Sequence, residues 1–523
     1  MCDLIDSTTA SIPKPNNIMS EGPSGRQVPR RITKRKGTTR ERTGCLTCRQ
    51  RKKRCDLGYP VCTQCVRLNY KCKWEEPRPL VQESTHSTKQ VSNQTVNIPF
   101  RLSQVPDPIL FWVDDHSDNT SRSSRRHFLR YYAQTFTHML TTNIENNSFL
   151  SVFLPMAMQD SALLNALIAW SSSHLSLRDS AFQQVAMQNR LTAMRDLRLS
   201  LQSSPGNVES NLAITLVLCS MESIMADNDK AWYLHLMGAA GIISSRVCIE
   251  SGLDGTSSSK LLQSFDDAHT GRWLLRNFAY HDILMAVALD REPLLPSHYF
   301  VQLDKGPLAD SYFGFASEIL TILYSITSLN KKVKSLNADS LQPGAYSDIT
   351  PHKTHPPSMS EIASTFSSLE LRLREWVCPP SNDESLILLA ESYRSSALLY
   401  LYRVVRRGLP SLEEGLAPKT ANEVATVVNN INKMPTRSLP ECTLLFPLFL
   451  AGGEASEKAH IKSIRHKMLD MIESRGFRNV EVALSVLEKL WRLNLERKAT
   501  YATKGPVDWL DVVLQDGVLL SLS

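Results

Sequence analysis

Apolar residues recur at helical spacing through much of the chain beyond residue 100. In residues 359–376 the steps alternate between four and three, which places one set of side chains on a single helix face: Ile362, Phe366, Leu369, Leu373 and Trp376. Ser358 and Glu361 stand in the S-x-x-E order of a capping box. The pattern predicts an amphipathic helix that begins after Ser358.

The same periodicity predicts further helices. Three sets of apolar side chains each mark one helix face: Leu386, Leu389, Tyr393, Ala397, Tyr400 and Val404; Val480, Ala483, Leu487 and Leu490; and Leu163, Leu164, Leu167, Ile168 and Leu175. Residues 212–218, LAITLVL, are ambiguous, because their alternation also fits a strand. Their helical neighbours favour a buried helix.

Polar stretches near residues 251–268 and 334–358 predict loops, and no tandem repeat of about 30–50 residues supports a solenoid. The longest apolar run, near residues 444–450, falls well short of the ~18 residues that a membrane span needs. We expect an all-α fold class, with a large helical regulatory domain over residues 106–523 and no membrane contact.

The chain has 523 residues, of which 42% are hydrophobic, and this is enough for more than one folded unit. Its first residues, MCDLIDSTTASIPKP, lack the basic-then-apolar order of a secretory signal, so a reducing compartment is expected. Residues 1–43 are rich in Ser, Thr, Pro and Arg without hydrophobic periodicity. They are predicted to form a disordered basic arm.

Positive charge is concentrated near the N-terminus. Residues 1–80 hold 18 Lys and Arg against 7 Asp and Glu, although the whole chain has a net charge of only +7. Residues 26–54 contain 13 basic side chains, with Glu41 as the only acid among them. Such a block favours a polyanionic partner, because each phosphate that it neutralises releases a counterion. A solvated basic tail is the alternative, which charge alone leaves open.

Six of the eleven cysteines lie within residues 45–72: Cys45, Cys48, Cys55, Cys62, Cys65 and Cys72. Their spacing, C-x2-C-x6-C-x6-C-x2-C-x6-C, repeats one three-cysteine unit. A C-x2-C step is a common zinc-chelating element. No histidine occurs in residues 40–80, so every ligand here would be sulfur.

Counting ligands favours a cluster of two Zn²⁺ ions. Two tetrahedral ions need eight ligand positions, so two of the six sulfurs must bridge both ions. The alternatives are three disulfides, or one four-cysteine site with two spare thiols. Disulfides suit a secreted mini-protein, and a single zinc would not explain the doubled spacing.

Basic residues fill the first half of this segment. Five of residues 49–54 are cationic, on what the sequence predicts to be a short helix held by metal at both ends: Arg49, Arg51, Lys52, Lys53 and Arg54. A rigid basic helix suits the major groove of double-stranded DNA, where Lys or Arg can bond guanine O6 and N7. The second half is less basic, so the halves share metal geometry but not role.

TGCLTCRQRKKRCDLGYPVCTQCVRLNYKCKW resembles the fungal binuclear zinc-cluster (Zn2Cys6) DNA-binding domain, here residues 44–76. The resemblance implies that Cys45 and Cys62 bridge the two zinc ions. Cys48 and Cys55 then complete one site, and Cys65 and Cys72 the other.

The same resemblance implies roles for the basic residues. Lys52 would contact a base, with Arg51 and Lys53 at neighbouring bases or phosphates. Pro60 matches the family's loop proline, and the bound sequences would be CGG-like triplets. Arg42 and Lys73, which flank the module, are expected to contact phosphate.

The residues on either side of the cysteine segment bear on nuclear import and on the pairing of two chains. Residues 30–36, RRITKRK, together with the basic residues at 51–54, resemble a bipartite nuclear import signal, although the same cations could only grip phosphate. Residues 77–105 are predicted to be a linker, in which Leu80, Val81, Val91 and Val96 keep no heptad spacing. A homodimer formed through a coiled coil here is therefore in doubt. A monomer, or pairing through the large domain, stays open.

Segments of the large region resemble the second type of fungal-specific transcription factor domain. They occur in order: LLNALIAWSSSHLSLRD, WYLHLMGAAGII, AESYRSSALLYLYRVV, LLFPLFLAGGEA and the last residues, 509–520. The resemblance implies a helical domain that controls activity through a small-molecule effector or a protein partner such as the transcription machinery. The final WLDVVLQD could be an activation segment, but docking as an amphipathic helix is favoured.

No enzyme is expected, because no G-x-S-x-G, Walker or H-E-x-x-H motif occurs. His174 and His235 are interpreted as structural, Gly452 and Gly453 as a helix-packing break, and the scattered Cys219, Cys248, Cys378 and Cys442 as small buried hydrophobes. The favoured function is a nuclear, sequence-specific regulator of RNA polymerase II genes, with an activator of a metabolic or secondary-metabolite pathway preferred. The alternatives are a pathway-specific repressor, or a zinc-dependent protein-interaction module without DNA.

Overall fold

The computed structural model describes part of the chain in two compact units, which comprise residues 1–98 and 99–523 and are treated separately below. The described residues are 45–51, 53, 55–56, 62–67, 71–73, 119–203, 208–227, 230–250, 269–296, 309–341, 358–409, 413–499 and 506–523. The predicted arm and linker lie outside them.

The first unit contains two short helices, α1 (Leu46–Gln50) and α2 (Thr63–Arg67). The second begins with α3 (Asn119–Tyr131), a π-helical turn (Tyr132–Phe136), α4 (Thr137–Leu140), a second π-helical turn (Phe149–Phe153) and α5 (Leu154–Ala157). Its longer helices are α6 (Ser161–Arg178), α7 (Gln183–Ser203), α8 (Val208–Met225), α9 (Ala231–Glu250), α10 (His269–Ala288), α11 (Ser317–Leu341), α12 (Met359–Glu375), α13 (Glu384–Gly408), α14 (Glu413–Lys433), α15 (Leu445–Glu454), α16 (Lys458–Arg475), α17 (Arg478–Ala499) and α18 (Trp509–Asp516).

Within the described residues there is no β-strand; one isolated bridge joins Asp310 and Gly314. The all-α prediction is confirmed. Each periodic run named above forms a helix. Residues 212–218 lie inside α8 and are buried, so the ambiguous segment is helical.

Helix α8 is the one described helix that is long and apolar enough to cross a membrane. It is mostly buried, and it packs against α6 and α9. Such burial is what a core helix of a globular domain requires.

The predicted helix over α12 is confirmed, with a difference at its end. The Glu361 amide donates to Ser358 Oγ at 3.1 Å, so Ser358 is the N-cap. Ile362, Leu369 and Leu373 are buried. Trp376, however, lies one residue beyond the helix and still packs on the core.

One loop prediction was partly wrong. Residues 334–341 continue α11 instead of starting a loop, because the buried face of that helix extends through Val333 to the partly buried Leu336. Residues 342–357 and 251–268 lie outside the described residues.

Aromatic rings interlock at the centre of the large unit. The ring of Phe136 meets that of Trp170 edge-on at 5.1 Å, and Phe153 meets Trp273 at 4.7 Å. His174 is buried beside them and bonds both the Tyr131 hydroxyl and the Arg475 carbonyl at 2.8 Å. Its interpretation as a structural residue agrees with these contacts.

Two glycines allow the helices at the C-terminal end to approach closely. A Cβ at Gly452 would lie 2.7 Å from Leu487 Cδ1, and one at Gly453 would lie 2.7 Å from Trp509 Cδ1. The pair therefore serves helix packing as predicted, but the predicted break was wrong, because α15 continues through both glycines to Glu454. Of the scattered cysteines, Cys219 is fully buried, whereas Cys378 and Cys442 are half-buried. The Cys248 side chain is outside the described part.

The last helix docks on the domain. Trp509, Leu510, Val512 and Val513 of α18 are buried, and Asp508 caps the helix in a capping box with Asp511. The docked alternative for this segment is therefore confirmed.

A buried arginine ties α18 to the rest of the domain. Arg403 of α13 bonds Asp508 through Nε and through a terminal nitrogen, at 2.8 and 2.7 Å. It also lies 3.4 Å from Asp290 and 4.3 Å from the centre of the Trp509 ring. Burial opposes ionisation of Asp508, but Arg403 outweighs it and lowers the pKa of that carboxyl.

Arg403→Met is expected to destabilise the large unit by about 3–5 kcal/mol, because it leaves Asp508 and Asp290 buried with fewer cationic partners. Urea unfolding followed by far-ultraviolet circular dichroism measures the change. Arg407→Met is the matched control: Arg407 pairs with the same Asp508 at 2.8 Å but is partly exposed. It should cost less than about 1 kcal/mol. Equal losses in the two variants would contradict this account.

Candidate metal centre

Each short helix of the first unit positions one C-x2-C step. Helix α1 starts directly after Cys45 and carries Cys48, and α2 starts directly after Cys62 and carries Cys65. These four side chains are fully buried, whereas Cys55 and Cys72 are half-buried. One turn of helix brings the two thiols of each step to the same side.

The six sulfurs form two overlapping groups of four. Cys45, Cys48, Cys55 and Cys62 make one group, and Cys45, Cys62, Cys65 and Cys72 make the other, with sulfurs in each group within 4.8 Å of one another. The groups share Cys45 and Cys62. These are the two residues for which the family resemblance implies a bridging role.

The sulfur separations fit zinc. With Zn–S bonds of about 2.3 Å, tetrahedral geometry places ligand sulfurs about 3.8 Å apart. The observed Sγ–Sγ distances are 3.7 Å for Cys45–Cys62, 3.6 Å for Cys48–Cys62 and 3.8 Å for Cys45–Cys65. A disulfide requires about 2.05 Å, so these three pairs are thiols. The cysteines of the module that the structure describes are all free.

The two shared cysteines differ in the direction of their pKa shift from Cys48, Cys65 and Cys72. Burial opposes ionisation of Cys45, but hydrogen bonds, first from the Cys48 amide at 3.3 Å, lower its pKa. The pKa of Cys62 is also lowered against burial, chiefly by the Cys65 amide. Burial raises the pKa of Cys48 to about 12. The chain therefore favours negative charge at the shared sulfurs, where two cations would meet it.

Thr47 joins the two halves of the unit, and the sequence did not reveal it. Its hydroxyl donates to the Lys71 carbonyl at 2.8 Å and accepts from the Lys73 amide at 3.1 Å. The Leu46 amide donates to the Lys73 carbonyl at 2.6 Å. These bonds hold the start of α1 against the residues that flank Cys72.

Asp56 is a second residue that sequence reasoning missed. Its carboxylate accepts from the Thr63 amide at 3.0 Å, from the Thr63 hydroxyl, and from the Gln64 amide at 3.4 Å. These bonds, first that of the Thr63 hydroxyl, lower the pKa of Asp56 to about 2. An aspartate preceding a short helix is a capping signal, but its distance of seven residues from Thr63 hides the relation.

The basic stretch is less helical than predicted. Helix α1 ends at Gln50, so Arg49 lies in it, whereas Arg51 lies in a turn and Lys53 follows that turn. The Lys53 amide donates to the Cys48 carbonyl at 3.0 Å. This five-residue closure turns the chain back, which lets Cys55 return to the sulfur cluster.

Several predicted DNA contacts lie outside the described residues: Lys52, Arg54 and Arg42, with Pro60 and the Arg49 side chain. Lys53 and Lys73 are described and exposed, and Arg51 is half-buried. The exposed cations Arg67 and Lys71 belong to the second half of the module.

Comparison with known families matches both units. A family model described as the fungal Zn(2)-Cys(6) binuclear cluster domain matches residues 43–80. A second, described as the fungal specific transcription factor domain, matches residues 126–523. The two-zinc cofactor prediction is confirmed by the first match and by the paired cysteine groups.

Curated relatives are transcriptional regulators of fungi. The chain is 24% identical to the transcriptional activator protein UGA3 of Saccharomyces cerevisiae, over 57% of this chain and 66% of that protein. It is 22% identical to the pestheic acid cluster transcriptional regulator 3 of Pestalotiopsis fici, over 86% of this chain and 94% of the relative. The zinc cluster transcription factor CZF1 of Candida albicans is 60% identical, but over only 8% of this chain and 10% of its own length. No solved structure matches the chain.

Cys45→Ala is expected to unfold the module and remove its zinc, because the free energy of metal binding is the folding free energy of so small a unit. Metal analysis of the purified full chain measures the loss. Cys219→Ala is the control, because Cys219 is buried in the other unit. It should keep two zinc ions per chain. A Cys45→Ala protein that also kept two zinc ions would rule out a bridging role.

Proposed function

The chain belongs to the family of fungal specific transcription factors with a binuclear zinc cluster, and we propose that it is a nuclear, sequence-specific DNA-binding regulator of RNA polymerase II genes. The observation that carries the proposal is the sharing of Cys45 and Cys62 by two groups of sulfurs. Only a two-metal cluster uses six sulfurs in that way.

In this proposal all six cysteines are zinc ligands. Cys45 and Cys62 bridge, Cys48 and Cys55 complete the first site, and Cys65 and Cys72 complete the second. Zinc supplies the cross-link that the short helices cannot provide for themselves. The resulting rigidity fixes where the residues around α1 lie.

The DNA reader is the end of α1 with the turn that follows. Lys52 contacts a base edge in the major groove, and Arg51, Lys53, Arg49 and Arg54 lie at neighbouring bases or phosphates. The exposure of Lys53 beside the turn supports this placement. The bound sequences are CGG-like triplets.

Phosphate contacts from the flanks add affinity without sequence preference. Lys73 is exposed, and its backbone is bonded to Thr47, so its main chain is fixed relative to the start of α1. Arg42 would act from the other flank. Phosphate contacts of this kind set the register of the module on the duplex.

Regulation is proposed to be activation of a metabolic or secondary-metabolite pathway, controlled by an effector or co-regulator at the helical domain. The names of two relatives, an activator protein and a regulator of a pestheic acid cluster, support this direction. The family is one of transcription factors and not of enzymes. Nuclear entry would use the basic residues near 30–36 and 51–54. Pairing of two chains, if DNA half-sites require it, would use the large unit.

Lys52→Ala is expected to cost about 1–3 kcal/mol of discrimination at one base pair. Lys73→Ala should instead weaken binding to all duplexes alike and reduce the salt dependence by about one counterion. Binding assays on the full chain, with a matched and a base-substituted duplex at several salt concentrations, separate the two effects.

Val66→Ala is the control, since Val66 is exposed and uncharged in α2, outside the proposed DNA reader. The role of Lys52 would be wrong if its variant bound the matched duplex as tightly and as specifically as the parent. Equal affinity of the parent for every duplex would overturn sequence-specific recognition itself.

A further inference from the structure

A cavity lies inside the large unit, between helices that are distant in sequence. Its walls are mainly aromatic and aliphatic, and among them are Phe149, Trp170, Ile224, Tyr280, Tyr312 and Phe477. It belongs to the second unit alone and shares no residue with the sulfur cluster. Nothing proposed above for DNA uses it.

The side chains around the cavity offer no charge to a ligand. The described lining contains no Asp, Glu, Lys or Arg side chain. His281, which contributes to the wall, lies between Ser220 Oγ at 3.1 Å and Ser523 Oγ at 2.7 Å. Burial lowers the pKa of His281 to about 3, so its ring is neutral in the cell. Because a buried ion without a partner is strongly disfavoured, these side chains favour an uncharged occupant.

Three polar atoms of the lining residues lack a hydrogen-bond partner. The indole Nε1 of Trp170 is a donor, the amide Oδ1 of Asn479 is an acceptor, and the hydroxyl Oγ1 of Thr443 can be either. All three residues are more than nine-tenths buried. Buried polar groups are nearly always satisfied, so these unused groups point to a molecule that supplies an acceptor and a donor. A hydroxyl group supplies both.

Residues 519–523 lie along one side of the cavity. Leu520 and Leu522 are buried, and Leu522 and Ser523 are part of the wall. The segment is held by side chains of three helices: Trp232 Nε1 donates to the Leu519 carbonyl at 3.3 Å, Ser223 Oγ to the Ser523 carbonyl at 3.0 Å, and Asn479 Nδ2 to the same carbonyl at 3.1 Å. The segment is therefore held by buried side chains and hydrogen bonds, as a separate bound peptide would be.

With this segment in place the cavity is small. Its volume of about 50 Å³ exceeds the roughly 10–15 Å³ that one water needs, but a cavity that binds benzene has roughly 150 Å³. An aromatic-sized ligand therefore needs one wall to move. The helices are fixed by the core, whereas residues 519–523 form no helix and are held by a few side-chain bonds.

We propose that this cavity binds a small uncharged molecule with an apolar body and a hydroxyl-type group, and that binding displaces residues 519–523 outward. The displaced segment then gives the domain two states, one closed by its own chain and one occupied by the ligand. The ligand must overcome the closed state, so its apparent affinity is reduced by the fraction of chains that are closed.

Phenol is the probe, because its ring is apolar and its hydroxyl both donates and accepts. Titrated into the full chain, it is expected to raise the thermal midpoint of the large unit in a saturable way. Benzoate and benzylamine, which are charged and of similar size, should bind at least about tenfold more weakly. Hydrogen exchange at residues 519–523 should become faster with phenol, while exchange elsewhere in the unit slows.

Trp170→Phe tests the unused donor. It should weaken phenol binding about two- to tenfold and leave toluene, which has no hydroxyl, binding at least as well. Trp273→Phe is the matched control: Trp273 is equally buried and its Nε1 also lacks a partner, but it does not line the cavity. It should leave the affinities for phenol and toluene unchanged.

Three results would overturn the proposal: no saturable effect of phenol, as expected if the cavity holds only water; equal binding of benzoate or benzylamine; or slower exchange at residues 519–523. These measurements use the unsubstituted chain, so they stand even if Trp170→Phe fails to fold. They involve neither zinc nor DNA. Failure here would therefore leave the proposed DNA-binding function intact, and failure of DNA binding would leave this site intact.

Discussion

The buried sulfurs of one C-x2-C step lie 3.6 to 3.9 Å from those of the other, and the first unit depends on this approach. As thiolates they would repel one another in the absence of a cation. Helices of five residues are also far too short to persist alone. Zinc resolves both problems together, because it neutralises the sulfurs and joins the helices. Hydrogen bonds of Thr47 and Asp56 then hold the two halves of the unit in place.

The large unit stabilises its buried charges differently, by pairing acidic with basic side chains inside the core. Arg403 lies between Asp508 and Asp290, and buried Glu441 pairs with Lys467. Such pairs hold the C-terminal helices in place at the cost of desolvation. The cavity beside residues 519–523 is different, since the side chains that line it are neutral. A domain that buries ions elsewhere therefore keeps one interior region free of them.

Features that give a repeated signal in the sequence were predictable, whereas features that depend on one residue were not. Cysteine spacing and apolar periodicity are repeated signals, so the sulfur groups and the helices with clear faces were predictable. The end of α1 at Gln50 was not, because the return of Cys55 to the cluster overrides the helical character of the basic run. Thr47 and Asp56 act through a few hydrogen bonds each, to residues distant in sequence, and these leave no pattern. The C-terminal end of α11 is polar in sequence and therefore resembled a loop. Only the side chains that face the core show that the helix continues there.

The shortness of α1 limits how much genomic information the module can extract. Five residues at about 1.5 Å per residue span about 7.5 Å, which is little more than two base-pair steps of roughly 3.4 Å. A module that contacts so few base pairs finds a matching sequence by chance every few dozen base pairs. Because a genome offers an immense excess of competing sites, selection of the right promoter must come from a second reader or from neighbouring proteins. The small unit therefore recognises only a short part of a target sequence, and other contacts must provide the remaining specificity.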